Sequence, residues 1–85
     1  MGQREFSCSE FRAFYQAMNF ARSCAVVVRV TYCGVNNMLI VYTDTFPSIA
    51  LEVVLFTGDS SELSEERVSQ VNALYLRARY KFNNM

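Results

Sequence analysis

The spacing of the apolar residues changes twice along the chain, and this change constrains the fold more than any other feature. Apolar residues recur at helical spacing between residues 7 and 23, alternate with a period of two between 25 and 57, and return to helical spacing between 64 and 82. We therefore predict a helix, a set of strands and a second helix. No repeat or linker interrupts the 85 residues, so we predict one domain, 1–85.

The first helix is predicted to begin near Ser7. Glu10 follows Ser7 at the capping-box spacing, which satisfies two otherwise unpaired amide groups at a helix start. At about 100° per residue, the apolar residues of this segment fall mainly on one face. That predicted core face comprises Phe11, Phe14, Tyr15, Met18 and Ala21, and it is flanked by Ala13, Ala17 and Phe20.

Three strands are predicted between the helices. The glycine and asparagines of residues 34–37 indicate a tight reversal, and Pro47 marks a second turn before a strand starting at Ile49. We expect one side of the first strand to face the core through Val26, Val28, Val30 and Tyr32. In the middle strand, two sets of side chains compete evenly for the core: Met38, Ile40 and Tyr42 against Leu39 and Val41. The predicted fold is α+β, of order αβββα, with a three-stranded antiparallel meander and both helices packed on one face.

The last helix is predicted to be capped by Ser64, because Leu63 and Val68 have hydrophobic-staple spacing around it. One broad face of this helix suits packing on the sheet: Val68, Val71, Leu74, Tyr75, Ala78 and Phe82. Three more apolar residues fall on nearly the opposite side: Ala73, Leu76 and Tyr80. The helix is thus apolar on two sides, and the second side requires something to cover it.

The sheet face turned away from the helices is also expected to be rich in apolar residues. It would carry Val27, Cys33, Val54 and Phe56 with only two charged residues, Arg29 and Glu52. Apolar residues are 52% of a chain in which 19% of the residues are charged, a surplus that favours association. We predict a non-enzymatic interaction module acting as a homodimer, or as a heterodimer with a related small subunit. The predicted interface residues are Ala73, Leu76, Tyr80, Phe20, Val54 and Phe56.

Residues suited to catalysis are scarce. Histidine is absent, which removes the commonest general base and metal ligand, and the candidate carboxylates Asp44, Glu52 and Asp59 lie in separate segments. We therefore expect no catalytic residue, cofactor, metal site or small-molecule substrate. The three cysteines lie far apart, which predicts free thiols in a reducing, cytoplasmic setting, and no apolar run approaches the length of a membrane span.

Because the net charge is zero, any RNA binding must rest on a local patch of cations. The best candidate patch lies near the end of the chain. Arg77, Arg79 and Lys81 could neutralise phosphates while Tyr80 offers a ring for stacking. The predicted RNA-binding residues are these three cations together with Arg29. The alternative is that cations near a helix C-terminus only complement the helix dipole.

The order of elements and several short sequence segments resemble those of the signal recognition particle 9 kDa subunits. The resemblance rests on Glu10-Phe11, on the strand "VVVRVTY" and on "NMLIVYTD", which starts at Asn37. It implies a subunit that pairs with a 14 kDa partner, joins its sheet to that of the partner, and holds RNA through cations on the open sheet face. Arg29 is the cation that this sequence keeps there; Ala25, Val27, Thr31 and Val41 stand where that family tends to place lysine or arginine.

Two further classes of function fit a small chain without motifs. One is an inhibitor of the kind that phages and mobile elements encode, which binds a host protein and occludes it. The other is a small-molecule sponge with a pocket at a dimer seam, although no residue indicates a particular ligand.

Overall fold

A computed structural model describes residues 2–83, so Met1, Asn84 and Met85 of the predicted domain lie outside the described part. The fold is α+β, with a four-stranded antiparallel sheet and two helices. The elements are β1 Gln3–Ser7, α1 Ala13–Ser23, β2 Val27–Cys33, β3 Met38–Tyr42, β4 Glu52–Asp59 and α2 Glu65–Asn83. The strands lie in the order β1-β3-β2-β4, and a short 3-10 helix, Ser60–Glu62, precedes α2.

Strand β1 is the largest departure from the predicted fold. Residues Gln3–Ser7 pair antiparallel with the full length of β3, from Gln3 opposite Tyr42 to Ser7 opposite Met38. A helix beginning near Ser7 and a sheet of only three strands are therefore both wrong. The strand order also departs from the predicted meander, because β4 pairs with β2 instead of β3. The capping-box spacing is a purely local signal, whereas pairing with β3 satisfies a row of backbone groups that would otherwise lie on a sheet edge.

Helix α1 begins six residues later than expected, and its buried face also differs from the predicted one. Phe11 precedes the helix and is 87% exposed, and Tyr15 is 62% exposed, so both are wrongly placed in the predicted core. The two alanines that had been expected to flank the core lie inside it. The buried residues of α1 are Ala13, Phe14, Ala17, Met18 and Ala21.

The hairpin of β2 and β3 follows the predicted pattern. Val28, Val30 and Tyr32 lie in the main core, which confirms the predicted parity, although Val26 precedes the strand and is exposed. Asn37 has a φ of 57° in the reversal, a conformation that asparagine tolerates well, and its side-chain oxygen accepts a hydrogen bond of 2.8 Å from the Tyr32 hydroxyl.

Both faces of β3 are buried, which explains why its pattern was ambiguous. Leu39 and Val41 face the helices, whereas Ile40 and Tyr42 lie on the other face with Cys33. Residues 43–51 do not belong to a strand; they cross this second face, and Phe46 and Ile49 pack against it. The third predicted strand therefore starts at Glu52 instead of Ile49, directly after Leu51, whose φ is 55°.

A bulge in β4 shifts the side-chain alternation of that strand from Phe56 onward. Val30 pairs with Phe56 while the next residue, Thr31, pairs with Val54, so Leu55 is an extra residue. Phe56 consequently points toward the helices and is 2% exposed, and its predicted place on the open face is wrong. The pattern of alternation alone cannot show an inserted residue, because the insertion is defined by the partner strand.

The two helices divide the sheet between them. Helix α1 packs on β1 and β3, and α2 packs on β4 and β2. The predicted cap of α2 is confirmed: the Arg67 backbone N–H donates to the Ser64 hydroxyl at 3.1 Å, and the Val68 N–H donates to the Ser64 carbonyl at 2.8 Å. The buried residues of α2 are Val71, Tyr75 and Ala78, all from the face predicted to meet the sheet.

Candidate interaction surface

The side of α2 opposite the core is exposed and partly apolar. Leu76 is 54% exposed and Tyr80 is 72% exposed, although both are large apolar side chains on a well-packed helix. Ala73 is exposed beside them. We call this region the α2 outer surface and define it as Glu66, Gln70, Ala73, Leu76, Arg77, Tyr80 and Lys81, all of them exposed.

Helix geometry explains why these residues share a surface. Val71, Tyr75 and Ala78 recur at three- and four-residue intervals and point into the core. Ala73, Leu76 and Tyr80 have the same spacing but start two residues later, which turns them about 200° away. The structure thus brings together three of the six predicted interface residues, on the second side that the sequence indicated.

The other three predicted interface residues lie elsewhere. Phe20 is half-buried on the β1 side of α1, with its ring 6.2 Å from the Phe6 ring. Val54 is exposed on the far sheet face, and Phe56 is buried with the Arg67 guanidinium 5.1 Å from its ring. No common surface joins these residues to the α2 outer surface, and Phe56 is too deeply buried to contact a partner.

The four predicted RNA-binding residues are not on one surface either. Arg29 lies on the far sheet face, 5.0 Å from the Phe46 ring, and its Nε donates to the Thr57 hydroxyl at 3.3 Å. Arg79 is half-buried and lies 5.6 Å from the Tyr75 ring. Only Arg77 and Lys81 remain adjacent, on the α2 outer surface.

A buried polar cluster lies beneath the C-terminal half of α2. The Cys8 thiol and the Tyr75 hydroxyl are hydrogen-bonded, and burial raises the pKa of both groups, although the nearby Arg79 opposes the shift. Arg79 Nε is buried and has no hydrogen-bond partner among the described residues. A thiol with a raised pKa stays protonated at neutral pH, so this cluster stabilises the core rather than supplying a nucleophile. All three cysteines are free thiols, as the sequence predicts.

The far sheet face is not the bare apolar surface that the alternation suggested. Cys33, Ile40 and Tyr42 are buried there beneath Phe46 and Ile49. This part of the predicted open apolar face is therefore wrong, because residues 43–51 cover these side chains from within the same chain. Val27 and Val54 remain exposed elsewhere on this face, beside the β4 edge.

The candidate carboxylates have structural partners on separate elements. Glu52 accepts a hydrogen bond of 2.9 Å from the Thr31 hydroxyl. Asp59 accepts one of 2.9 Å from the Ser61 backbone N–H, and this bond lowers the pKa of the Asp59 carboxyl. In the part of the chain that the structure describes, no cluster of side chains could hold a metal ion.

A groove of about 290 Å³ separates the two helices and was not anticipated from the sequence. Tyr15 and Arg22 of α1 line one wall, and Glu65 and Ser69 of α2 line the other. The Arg22 Nε donates to the Leu63 carbonyl at 2.9 Å, which holds the end of α1 against the start of α2. Tyr15 is exposed at this groove, although the helical spacing had placed it in the core.

Comparisons with protein-family models, with curated proteins and with solved structures found no match. Among residues 2–83, no helix is both long enough and apolar enough to cross a membrane. The α2 outer surface is the strongest candidate functional site, because it combines exposed large apolar side chains with charges on a rigid, well-capped helix.

Proposed function

We propose that this chain is a non-enzymatic subunit whose α2 outer surface is covered by a second small protein chain. One observation carries the proposal: Leu76 and Tyr80 are 54% and 72% exposed on the side of α2 opposite the core. Full burial of a large apolar side chain is worth roughly 1.5 to 3 kcal/mol. That is a large amount beside the 5 to 15 kcal/mol that typically separates folded from unfolded domains.

The composition of the surface favours a protein partner over a nucleic acid. Its centre holds Ala73 and Leu76, and its charged residues lie toward the two ends. An apolar centre with a charged rim is typical of protein interfaces, in which tyrosine is enriched. RNA binding draws mainly on clustered cations, and here only Arg77 and Lys81 stand together.

The most specific version of the proposal is a subunit similar to the signal recognition particle 9 kDa subunits, which pairs with a related small chain. The order of the elements from α1 to α2 supports this version, and so do the short sequence segments Glu10-Phe11 and "NMLIVYTD". The covered far face gives no support to RNA binding at Arg29. Arg77 and Lys81 belong to the covered α2 outer surface, so in this version the partner chain would supply most of the RNA contacts.

Sedimentation equilibrium at micromolar concentration, with and without nuclease, tests the proposal. We expect Leu76→Glu to weaken association strongly, because it places a charge in the apolar centre of the surface. Phe11→Glu is the matched control: Phe11 is 87% exposed in the turn before α1, so the same charge there should leave association unchanged.

Affinity capture from lysate separates the classes of partner. A ribonucleoprotein subunit should bring a fixed small chain together with RNA that binds in a salt-sensitive manner, whereas an inhibitor should bring one target enzyme. The proposal is wrong if the protein remains monomeric, captures no chain, and behaves identically with Leu76 or Glu at position 76.

A further inference from the structure

Charge is distributed unequally along α2. Glu65 and Glu66 occupy its first turn, and no acidic residue follows them in the helix. Arg77 and Lys81 lie exposed in the C-terminal half. The single cation of the first turns, Arg67, is turned toward the Phe56 ring at 5.1 Å. The α2 outer surface is therefore acidic at one end and basic at the other.

Residues of opposite charge also lie along one stripe of the helix. The members of this stripe are separated by three or four residues, which places them on one side of the helix: Glu66, Gln70, Ala73, Arg77 and Lys81. Leu74 flanks this stripe toward β4, and Leu76 and Tyr80 flank it on the other side.

We propose that the partner covering this surface is a second copy of the chain, with the two α2 helices packed antiparallel about a two-fold axis. This inference rests on the proposed function and names its partner. With Ala73 of one copy beside Leu74 of the other at the axis, Glu66 faces Lys81 and Gln70 faces Arg77 on each side. A parallel arrangement would instead bring like charges together.

Three properties of the surface suit self-association. A two-fold axis brings the same patch of both copies together, so a patch that is acidic at one end and basic at the other complements itself only in the antiparallel sense. Ala73 is small and allows close approach of the two helices at the axis. Glu66 and Arg77 form no salt bridge within residues 2–83, so their charges are available to a partner.

Two charge reversals test this arrangement. In Glu66→Lys alone, each symmetric pair becomes Lys opposite Lys; in Lys81→Glu alone, each becomes Glu opposite Glu. We expect either single variant to raise the dimer dissociation constant by about tenfold or more, because two attractions become two repulsions. An equimolar mixture of the two variants restores both opposite-charge pairs and should form a heterodimer with nearly the wild-type dissociation constant.

Glu65→Lys provides the matched control. It makes the same charge change in the same helical turn, but Glu65 lines the groove toward α1 rather than the stripe. Sedimentation equilibrium at low salt gives the dissociation constants, and circular dichroism verifies that each variant is folded. Recovery of the dimer in the mixture, with an unaffected Glu65→Lys variant, is the expected result.

Two results would overturn the inference and can be told apart from failure of the proposed function. If the wild type dimerises and both single reversals dimerise equally well, the antiparallel pairing is wrong while the covered surface stands. If the wild type is monomeric alone but captures another chain in a manner sensitive to Leu76→Glu, the second copy is excluded and the proposed function survives.

Discussion

The ring of Tyr75 on α2 stacks on the ring of Phe14 on α1, with the centroids 5.2 Å apart and the planes inclined by 19°. Tyr75 also lies edge-on to Tyr32 of β2, at 6.2 Å. One side chain therefore joins both helices and the sheet, and it fixes which side of α2 faces the core. The orientation of the α2 outer surface follows from this contact.

Replacement of Tyr75 should be among the most damaging changes in the chain. Tyr75 is 4% exposed, and truncating a buried aromatic side chain to alanine typically costs roughly 3 to 5 kcal/mol of unfolding free energy. Leu76→Ala, at the next residue but on the exposed side, should change the unfolding free energy of the monomer by no more than about 0.5 kcal/mol. Urea denaturation of dilute protein measures both. Equal effects would mean that α2 is rotated so that Leu76 also faces the core.

Two serines distinguish a predicted helix cap that the structure confirms, at Ser64, from one that it does not, at Ser7. Ser64→Ala removes the hydroxyl that accepts the Arg67 N–H, and it should cost about 1 kcal/mol. Ser7→Ala should cost less than about 0.5 kcal/mol, because Ser7 ends β1 and, among the described residues, its hydroxyl is hydrogen-bonded to the exposed Ser9 alone. Chemical denaturation compares them. A larger loss for Ser7→Ala would favour a helix beginning there.

Replacing Leu51 with glycine should relieve backbone strain at this position. Its φ of 55° lies in the left-handed region, which costs a residue with a Cβ atom roughly 1 to 2 kcal/mol. The Leu51 carbonyl accepts a hydrogen bond of 2.9 Å from the Gly34 N–H, which holds the residue in place. Leu51→Gly should be more stable than Leu51→Ala by roughly 0.5 to 1 kcal/mol, since both remove the half-exposed side chain but only glycine removes the strain. Thermal denaturation of the two variants decides the question, and an alanine variant as stable as the glycine variant would rule the strain out.

Alkaline pH should destabilise the fold through the pair of Cys8 and Tyr75. Burial raises the folded-state pKa of each above its unfolded value, which is about 8.5 for cysteine and about 10 for tyrosine. The protonated Cys8 thiol and Tyr75 hydroxyl contribute their full stabilisation below about pH 8.5. This contribution is lost as the pH rises, because the unfolded chain releases these protons at lower pH than the folded chain does.

The measurement is the urea midpoint from pH 7 to pH 11 under reducing conditions. Tyr75→Phe should reduce the decline above about pH 10, because it removes one buried phenol with a raised pKa. Part of the decline should remain, because burial also raises the pKa of Tyr32 and of Tyr42. Tyr15→Phe, which removes an exposed phenol, should retain the decline of the wild type. A wild-type midpoint that does not fall with rising pH would contradict the cluster as described.

Local patterns predicted those features that depend on nearby residues. The Ser64 cap involves the next four residues, and the core parity of Val28, Val30 and Tyr32 follows from the period of a single strand. The second apolar side of α2 also follows from helical spacing alone, which is why Ala73, Leu76 and Tyr80 could be named as one surface from their positions.

By itself, then, the sequence determined the α+β class, the inner and outer faces of β2 and α2, and the surplus of apolar side chains on α2. Only the tertiary structure decided that residues 3–7 add a fourth strand, that Leu55 is a bulge which turns Phe56 inward, and that residues 43–51 cover part of the far sheet face. Each of these depends on pairing or packing with another segment of the chain. A periodic pattern within one segment does not contain that information.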